Sequence, residues 1–372
     1  MTSPLLFAPT SLGPLSLPNR IMVSPMCQYS ASDGNVNGWH AAHLGSLALS
    51  GAGLLCVEAT AVSPEGRITP NCVGLYNNDN QQALRGVVDM LRAASPVRLM
   101  IQLGHAGRKA SSAKPWEGGE LLSPQDGGWQ ALGPSSLPHK AGEIPPQAMT
   151  RAEIERVIAD FVSATRRARA LGFDAIEVHV AHGYLLHQFL SPLANVRDDD
   201  YGGSAENRMR LTLQVFEAVR EAAGSDMAVG ARLSATDWVD GGWEIDDCIV
   251  LAKKLQGLGA DFLDISSGGL SPLQKITIGP GYQAGFAERI RANVTIPIIT
   301  VGLITEPQQA EDLLREGKAD MVALARAFIA DPRWPWRAAA ELGGRLQGHP
   351  QYYRCLPSGH PRIFGDVVTS QR

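Results

Sequence analysis

A single (β/α)8 TIM barrel with long loops at its C-terminal face, an α/β fold, is what the sequence predicts, on three observations. Eight short apolar runs recur along the 372 residues, each nearly continuous in apolar character, as parallel strands buried on both faces require. Amphipathic stretches with helix start and stop signals separate them. The first run leads into Pro25-Met26-Cys27, whereas the rival doubly wound sheet wants a G-x-G-x-x-G turn after its first strand.

The runs, in order, are Arg20–Ser24, Leu54–Glu58, Leu99–Leu103, Ala175–Val178, Ala228–Leu233, Phe262–Ile265, Ile298–Val301 and Met321–Leu324. Between the third and fourth, Thr150 and Glu153 form a capping box. Ile154, Val157, Ile158, Phe161 and Val162 then recur at helical spacing until Gly172. Ser204 caps the next helix, which carries Leu211, Val215 and Val219 and ends at Gly224. A helix around Ile249–Leu258 stops at Gly259. Thr305 and Gln308 repeat the capping box, and Gly317 closes that helix. Two connections are long: Arg108 to Thr150, which holds Trp116 and Trp129, and Ser191 to Tyr201 and beyond. Both follow strand C-termini, where a barrel builds its active site. The barrel domain is expected over 1–350, with 351–372 as a C-terminal extension.

Composition narrows the function classes. Hydrophobic residues make up 44% and charged residues 19%, enough for a large core, and the net charge is only −4 without a run of like charges. A nucleic-acid or anionic-membrane binder is not expected. No apolar segment is long enough for a membrane span, and Met1-Thr2-Ser3-Pro4 lacks the pattern of a secretory signal. The five cysteines are odd in number and contain no CxxC pair, so neither a disulfide framework nor an iron–sulfur cluster is expected, and a cytoplasmic location is.

The predicted strand ends carry Pro25-Met26-Cys27, Ala59-Thr60, Gln102, His179, Arg232, Ser266-Ser267, Val301-Gly302 and Ala325-Arg326. Gly302 and Arg326 follow strands seven and eight, where barrels commonly hold a phosphate, and a guanidinium grips that group bidentately. The densest chemistry is His179-Val180-Ala181-His182-Gly183-Tyr184, read as two imidazoles on one side of a helical turn. One reading is a metal site with Glu177 as third ligand, which would make the protein a metal-dependent barrel hydrolase. The other is a pair of neutral N–H donors that polarises a carbonyl or nitro oxygen, with Tyr184 as the acid. The phosphate position favours an organic cofactor, and no metal is expected.

Ser24-Pro25-Met26-Cys27-Gln28-Tyr29, Gln102–Lys109, His179–Tyr184 with His187–Pro192, and Asp200–Ser204 with Glu206-Asn207-Arg208 resemble the old yellow enzyme family. The thiol and tyrosine of the first motif are similar to its thermophilic-like branch of ene-reductases, which includes xenobiotic reductases. The resemblance runs from about Leu6 to Arg354. It implies FMN bound at the C-terminal face and reduced by NADPH or NADH, with hydride passing from N5 to an activated alkene. By the same resemblance, Ser24, Pro25, Met26, Cys27, Ala59, Gln102 and Ser267 contact the flavin, and Arg232 lies at its N1–C2=O edge. Gly302, Ala325 and Arg326 hold its phosphate. His179 and His182 bind the substrate oxygen, and Tyr184 protonates the α-carbon. Cys27 tunes the flavin rather than acting as a nucleophile. Tyr29 and Lys109 join the substrate pocket, with Lys109 near the flavin's outer edge. Arg354, after Gln351-Tyr352-Tyr353, is expected to reach a neighbouring subunit's site, which makes the extension an inter-subunit arm of a homodimer or homotetramer. A flavin protein that only relays electrons is the remaining alternative.

Overall fold

The computed structural model describes residues 3–356, 359–360 and 362–366. Eight parallel strands close into a barrel: β1 (Ile21–Val23), β2 (Leu54–Ala61), β3 (Arg98–Gly104), β4 (Ala175–Val180), β5 (Ala228–Ser234), β6 (Phe262–Ser266), β7 (Ile298–Val301) and β8 (Met321–Leu324). Closure is made by β8 on β1, with Val322 beside Ile21 and Leu324 beside Val23. All eight predicted runs are therefore strands of one sheet. The register of β2 against β3 shifts between Val57 and Thr60, so the end of β2 departs from the regular ladder around Glu58 and Ala59.

The helices form where capping chemistry places them. In the helix Arg151–Leu171, Thr150 Oγ1 accepts from Glu153 N–H at 3.3 Å, and Glu153 Oε2 accepts from Thr150 N–H at 2.7 Å. Gly172 then ends it in the left-handed region. Ser204 Oγ accepts from Asn207 N–H at the start of Ala205–Ala223. The expected Thr305–Gln308 box does not form. The helix Pro307–Arg315 starts one residue later, with Glu306 at the N-cap position and no side-chain cap, because Pro307 suits the first helical position and the Thr305 carbonyl accepts from Trp334 Nε1.

Strand alternation divides the apolar residues into two layers. One set packs outward between strands and helices, including Leu55, Ile101, Ile176 and Val229. The other fills the barrel interior, including Met22, Met100, Phe262, Ile299 and Met321. Leu12, Leu15 and Leu17 join this interior set from a two-stranded hairpin, Thr10–Leu12 with Leu15–Leu17, which precedes β1. The interior is thus packed at the hairpin end, and its polar side chains gather toward the strand C-termini. The Arg108–Thr150 connection carries short 3-10 turns and a two-stranded sheet of Leu132–Gly133 with Gln147–Ala148. Of the extension, Tyr352, Tyr353 and Leu356 pack near Trp336, Ile363 and Phe364. Arg354 is exposed there, and the residues from 367 on lie outside the described ones. Among the described residues no helix is long and apolar enough to cross a membrane.

Candidate active site

His179 is the fifth residue of the six-residue β4, and its side chain stands at the barrel mouth. The chain does not continue into the helical turn that the HxxH spacing suggested. It bends through His182 and Gly183, both at positive φ (58° and 73°), and only then enters the short helix Leu185–Leu190. A Cβ at Gly183 would collide with the Gly269 carbonyl, so this close approach requires glycine. The bend is held from several sides. Gly183 N–H donates to His187 Nδ1 at 2.9 Å, His182 N–H to Ser234 Oγ at 3.0 Å, and Lys109 Nζ to the carbonyls of His182 and Gly269 at 2.9 and 3.0 Å.

The bend brings the two imidazoles together. His179 Nε2 and His182 Nδ1 lie 3.4 Å apart, and the Tyr184 ring packs edge-on against His179 with centroids 5.0 Å apart. His182 Nε2 meets Ser266 Oγ at 2.7 Å. The Ser266 hydroxyl has one hydrogen to give, to His182 Nε2 or to Gln283 Oε1 3.3 Å away; when it goes to His182, the His182 hydrogen sits on Nδ1. Burial, with Arg232 adding repulsion, holds both imidazoles well below their ordinary pKa, so both are neutral. Burial pushes the Tyr184 phenol well above its ordinary pKa, so it keeps its proton. Lys109 Nζ sits 5.1 Å from the Tyr184 ring centroid, and burial brings its ammonium down to about 8.

A cavity of about 210 Å³ opens beside this cluster. His182, Arg232 and Ser266 line one side, and Gly302, Ala325 and Arg326 line the other. Gly302 has φ +126°, and a Cβ there would press on Gln283 Nε2 at 2.8 Å. Gln283 is a buried residue that the sequence reading did not single out. It accepts from Ser267 Oγ at 2.7 Å and donates to the Val301 carbonyl at 2.9 Å, tying the end of β6 to the end of β7. Nothing in its local sequence marks it, because both partners are remote in the chain.

On the other side of Tyr184 lies a cleft of about 380 Å³, lined in part by Tyr29, Ile68, Arg108, Lys109, His139 and Tyr184. Trp116, in the long connection, stacks edge-on against Tyr29 at 5.8 Å. Ser24 is buried with an unpartnered hydroxyl, and Cys27 is half-buried. Burial pushes the Cys27 thiol well up, helped by Cys72 and Glu58, which suits a packed thiol and not a thiolate nucleophile. Gln102 Nε2 donates to Glu177 Oε1 at 2.7 Å. Glu177 is thereby turned to Gln102, and among the described residues no group of three His, Cys, Asp or Glu side chains is placed to hold a metal ion.

These residues fit FMN. Arg326 and the glycine backbone at one end of the cavity suit a phosphate. Arg232 brings a buried guanidinium to the cavity wall, paired through its Nε with Asp264, and the Ser24 hydroxyl at the end of β1 is left without a partner in the fold. Barrel and site together define a flavin oxidoreductase.

The comparisons with known proteins agree. The chain matches the NADH:flavin oxidoreductase / NADH oxidase family over residues 5–344 and belongs to it, as an old yellow enzyme family member. A protein of Geobacillus sp. (strain WCH70) named NADPH dehydrogenase is 41% identical over 352 residues, covering 94% of this chain and 98% of its own. One of the same name from Bacillus licheniformis is 41% identical over 356 residues, covering 95% of this chain and 99% of its own. Among solved structures, morphinone reductase in complex with tetrahydroNAD superposes with a TM-score of 0.76 at 31% identity, covering 94% of this chain and 93% of that one. A 2-naphthoyl-CoA reductase complex reaches 0.81 at 26% identity, although this chain spans only 52% of it. The protein is an FMN-binding NAD(P)H oxidoreductase of the old yellow enzyme type.

Proposed function

We propose that the protein reduces activated C=C bonds in small molecules (enones, enals, nitroalkenes and maleimides) with electrons from NADPH or NADH. The observation that carries this reading is the convergence of His179 Nε2 and His182 Nδ1, 3.4 Å apart beside Tyr184. Two neutral imidazole nitrogens that meet there suit an oxygen on which negative charge develops, each donating to it in the tautomer that carries its hydrogen on the facing nitrogen. A carbonyl or nitro oxygen accepting from both withdraws electrons from the conjugated alkene. Bound FMN supplies the hydride carrier between nicotinamide and substrate. As hydride reaches the β-carbon, the Tyr184 O–H proton goes to the α-carbon, which leaves a saturated product and a phenolate that solvent reprotonates.

In this reading Ser24, Pro25, Met26, Cys27, Ala59, Gln102, Arg232 and Ser267 surround the flavin ring, and Gly302, Ala325 and Arg326 take its phosphate. Tyr29 and Lys109 belong to the substrate cleft, with Lys109 also clamping the His182 carbonyl. Arg354 would act in a neighbouring subunit of a homo-oligomer. Its exposure, on a tail anchored through Tyr352 and Tyr353, supports that role.

Tyr184→Phe is the test. Anaerobic reduction of the flavin by NADPH should proceed at the wild-type rate. Reoxidation by cyclohexenone should slow by about 10²–10⁴-fold, the usual worth of a general acid. Equal reoxidation rates would remove Tyr184 from the reaction. A wild-type protein whose reduced form reacts fast with oxygen and not with any enone would instead be an electron relay.

A further inference from the structure

Below the histidines, the barrel interior holds a polar layer with two carboxyl groups that the proposed reaction does not use. Gln102 on β3 lies opposite Glu177 on β4, and Arg232 on β5 lies opposite Asp264 on β6. Glu177 and Asp264 are 0% exposed. Gln102 Nε2 donates to Glu177 Oε1 at 2.7 Å, and Arg232 Nε lies 3.3 Å from Asp264 Oδ2, off the hydrogen-bond direction. Glu177 Oε2 and both Asp264 oxygens receive no donor from the rest of the fold.

The two carboxyl groups nevertheless contact each other. Carboxylates only accept, so that contact becomes a hydrogen bond only when one of them carries a proton. The neighbours offer no other compensation. Ser24 and Cys56 face the layer from β1 and β2, and Glu58 is turned away to the Gln28 amide. His179 stands above it on β4 and His182 beside it, both neutral, while the Cys56 thiol is pushed well up by burial. The last two strands present Ile299, Val301, Met321 and Ala323. Two carboxylates against the Arg232 guanidinium would leave an uncompensated negative charge in a sealed core, at a cost of several kcal/mol. One shared proton makes the layer neutral.

We propose that Glu177 and Asp264 hold one proton between them, and that this pair is a proton-binding site linked to flavin reduction through Arg232 and Gln102. The inference rests on the placement of those two residues at the flavin. FMN held against Arg232 and Gln102 would supply a ring that gains negative charge when it accepts a hydride. That charge raises the proton affinity of the carboxyl pair beneath. Burial, with Asp264 adding repulsion, already holds the Glu177 carboxyl well above its ordinary pKa. Below the pair's raised pKa it is protonated in both redox states. Between that pKa and the still higher one that reduced flavin would set, the pair lacks the proton while the flavin is oxidised and gains it from solvent, onto a carboxylate oxygen, when the flavin is reduced.

NADPH delivers hydride alone, so the ring reaction itself takes no proton from solution. Anaerobic reduction of the holoprotein by NADPH in weak buffer with a pH indicator therefore counts the pair's proton. The wild type should take up almost none at neutral pH and rise toward one per flavin as the pH climbs through the pair's raised pKa. Glu177→Gln should show no rise. The same pH profile in both proteins would overturn the proposal. The infrared spectrum of the oxidised Glu58→Gln holoprotein, in which the other deeply buried carboxyl raised by burial is removed, gives a second readout, valid if Glu177→Gln misfolds. A protonated-carboxyl band that persists there at neutral pH and is lost in alkaline solution supports the shared proton, and its absence at neutral pH overturns it. No alkene enters either experiment, so the proton pair stands or falls separately from alkene reduction.

Discussion

His187 Nε2 lies 2.9 Å from Asp237 Oδ1, and both side chains are fully buried behind the bend that carries His182. His187 Nδ1 accepts the Gly183 N–H, so the imidazole hydrogen sits on Nε2 and points at the carboxylate. Asp237 Oδ2 accepts from Ser191 Oγ at 2.6 Å and from Trp243 N–H at 2.8 Å. Burial opposes ionisation of Asp237, but these partners outweigh it and hold the carboxyl below its ordinary pKa. The dyad is thus a strut between the start of the helix Leu185–Leu190 and the loop after β5.

Removing one end of the strut leaves the other buried without its partner. Asp237→Ala should lower unfolding stability by about 3–5 kcal/mol, read by urea denaturation. The folded pKa is depressed, so the stabilisation is present above the unfolded carboxylate value and fades as pH falls through the folded one. The gap between wild type and variant should therefore narrow in acid, below about pH 4. A constant gap across that range would mean that the carboxylate charge is not what stabilises the bend.

The two histidines should be separable by a ligand that mimics the proposed oxygen. A phenolate bound near the flavin can accept from both His179 and His182. Replacing either with alanine should weaken phenol binding and slow alkene reduction by about 10²–10³-fold, the worth of one oxyanion donor. Flavin reduction by NADPH is the control. Unchanged phenol affinity in the double variant would place the oxygen site elsewhere.

The barrel was legible because its information is local. The Thr150 capping box and the Gly172 stop need only neighbouring residues, and the strand runs need only apolar continuity. The strand-end residues were also legible once the barrel was assumed, since position in the βα unit fixes which face each one meets. The Gln283 bridge, the Asp237 strut and the Glu177–Asp264 pair were not. Each joins residues on different strands, and Glu177 read alone resembles a metal ligand until Gln102 is seen to occupy it. The bend at His182 was misread because i, i+3 spacing suggests a helical turn, whereas the local glycine and the Gly269 carbonyl impose left-handed backbone instead.

Glu58 makes a pH prediction of the opposite sign to Asp237. Its carboxyl is buried, accepts from Gln28 N–H at 3.0 Å and lies 3.6 Å from His40 Nε2. Burial raises it from 4.5 to about 8. A raised folded pKa means that its contribution is fully present below the unfolded value and is lost as pH rises toward 8. Wild-type stability should accordingly decline across that window. In Glu58→Gln this part of the decline should vanish, whatever constant offset the amide introduces. Thermal unfolding at several pH values measures the slope, and equal slopes would show that Glu58 ionises freely in the folded protein.

The hairpin that closes the barrel floor separates stability from chemistry. Leu12 is fully buried against interior residues such as Met22, Met100 and Phe262, at the end of the barrel opposite the His179–His182 pair. Its side chain plugs a space that no strand residue fills, and the close-packed interior cannot collapse far to replace it. Leu12→Ala should therefore cost about 2–5 kcal/mol, the range for a leucine cavity. The strand C-termini are held by their own hydrogen bonds, including Gln283 to Val301 and His182 to Ser234. Flavin absorbance and the rate of NADPH oxidation should accordingly match the wild type well below the variant's unfolding temperature. Loss of flavin from a Leu12→Ala protein that is still folded by circular dichroism would mean that the floor and the mouth of the barrel are coupled, contrary to this separation.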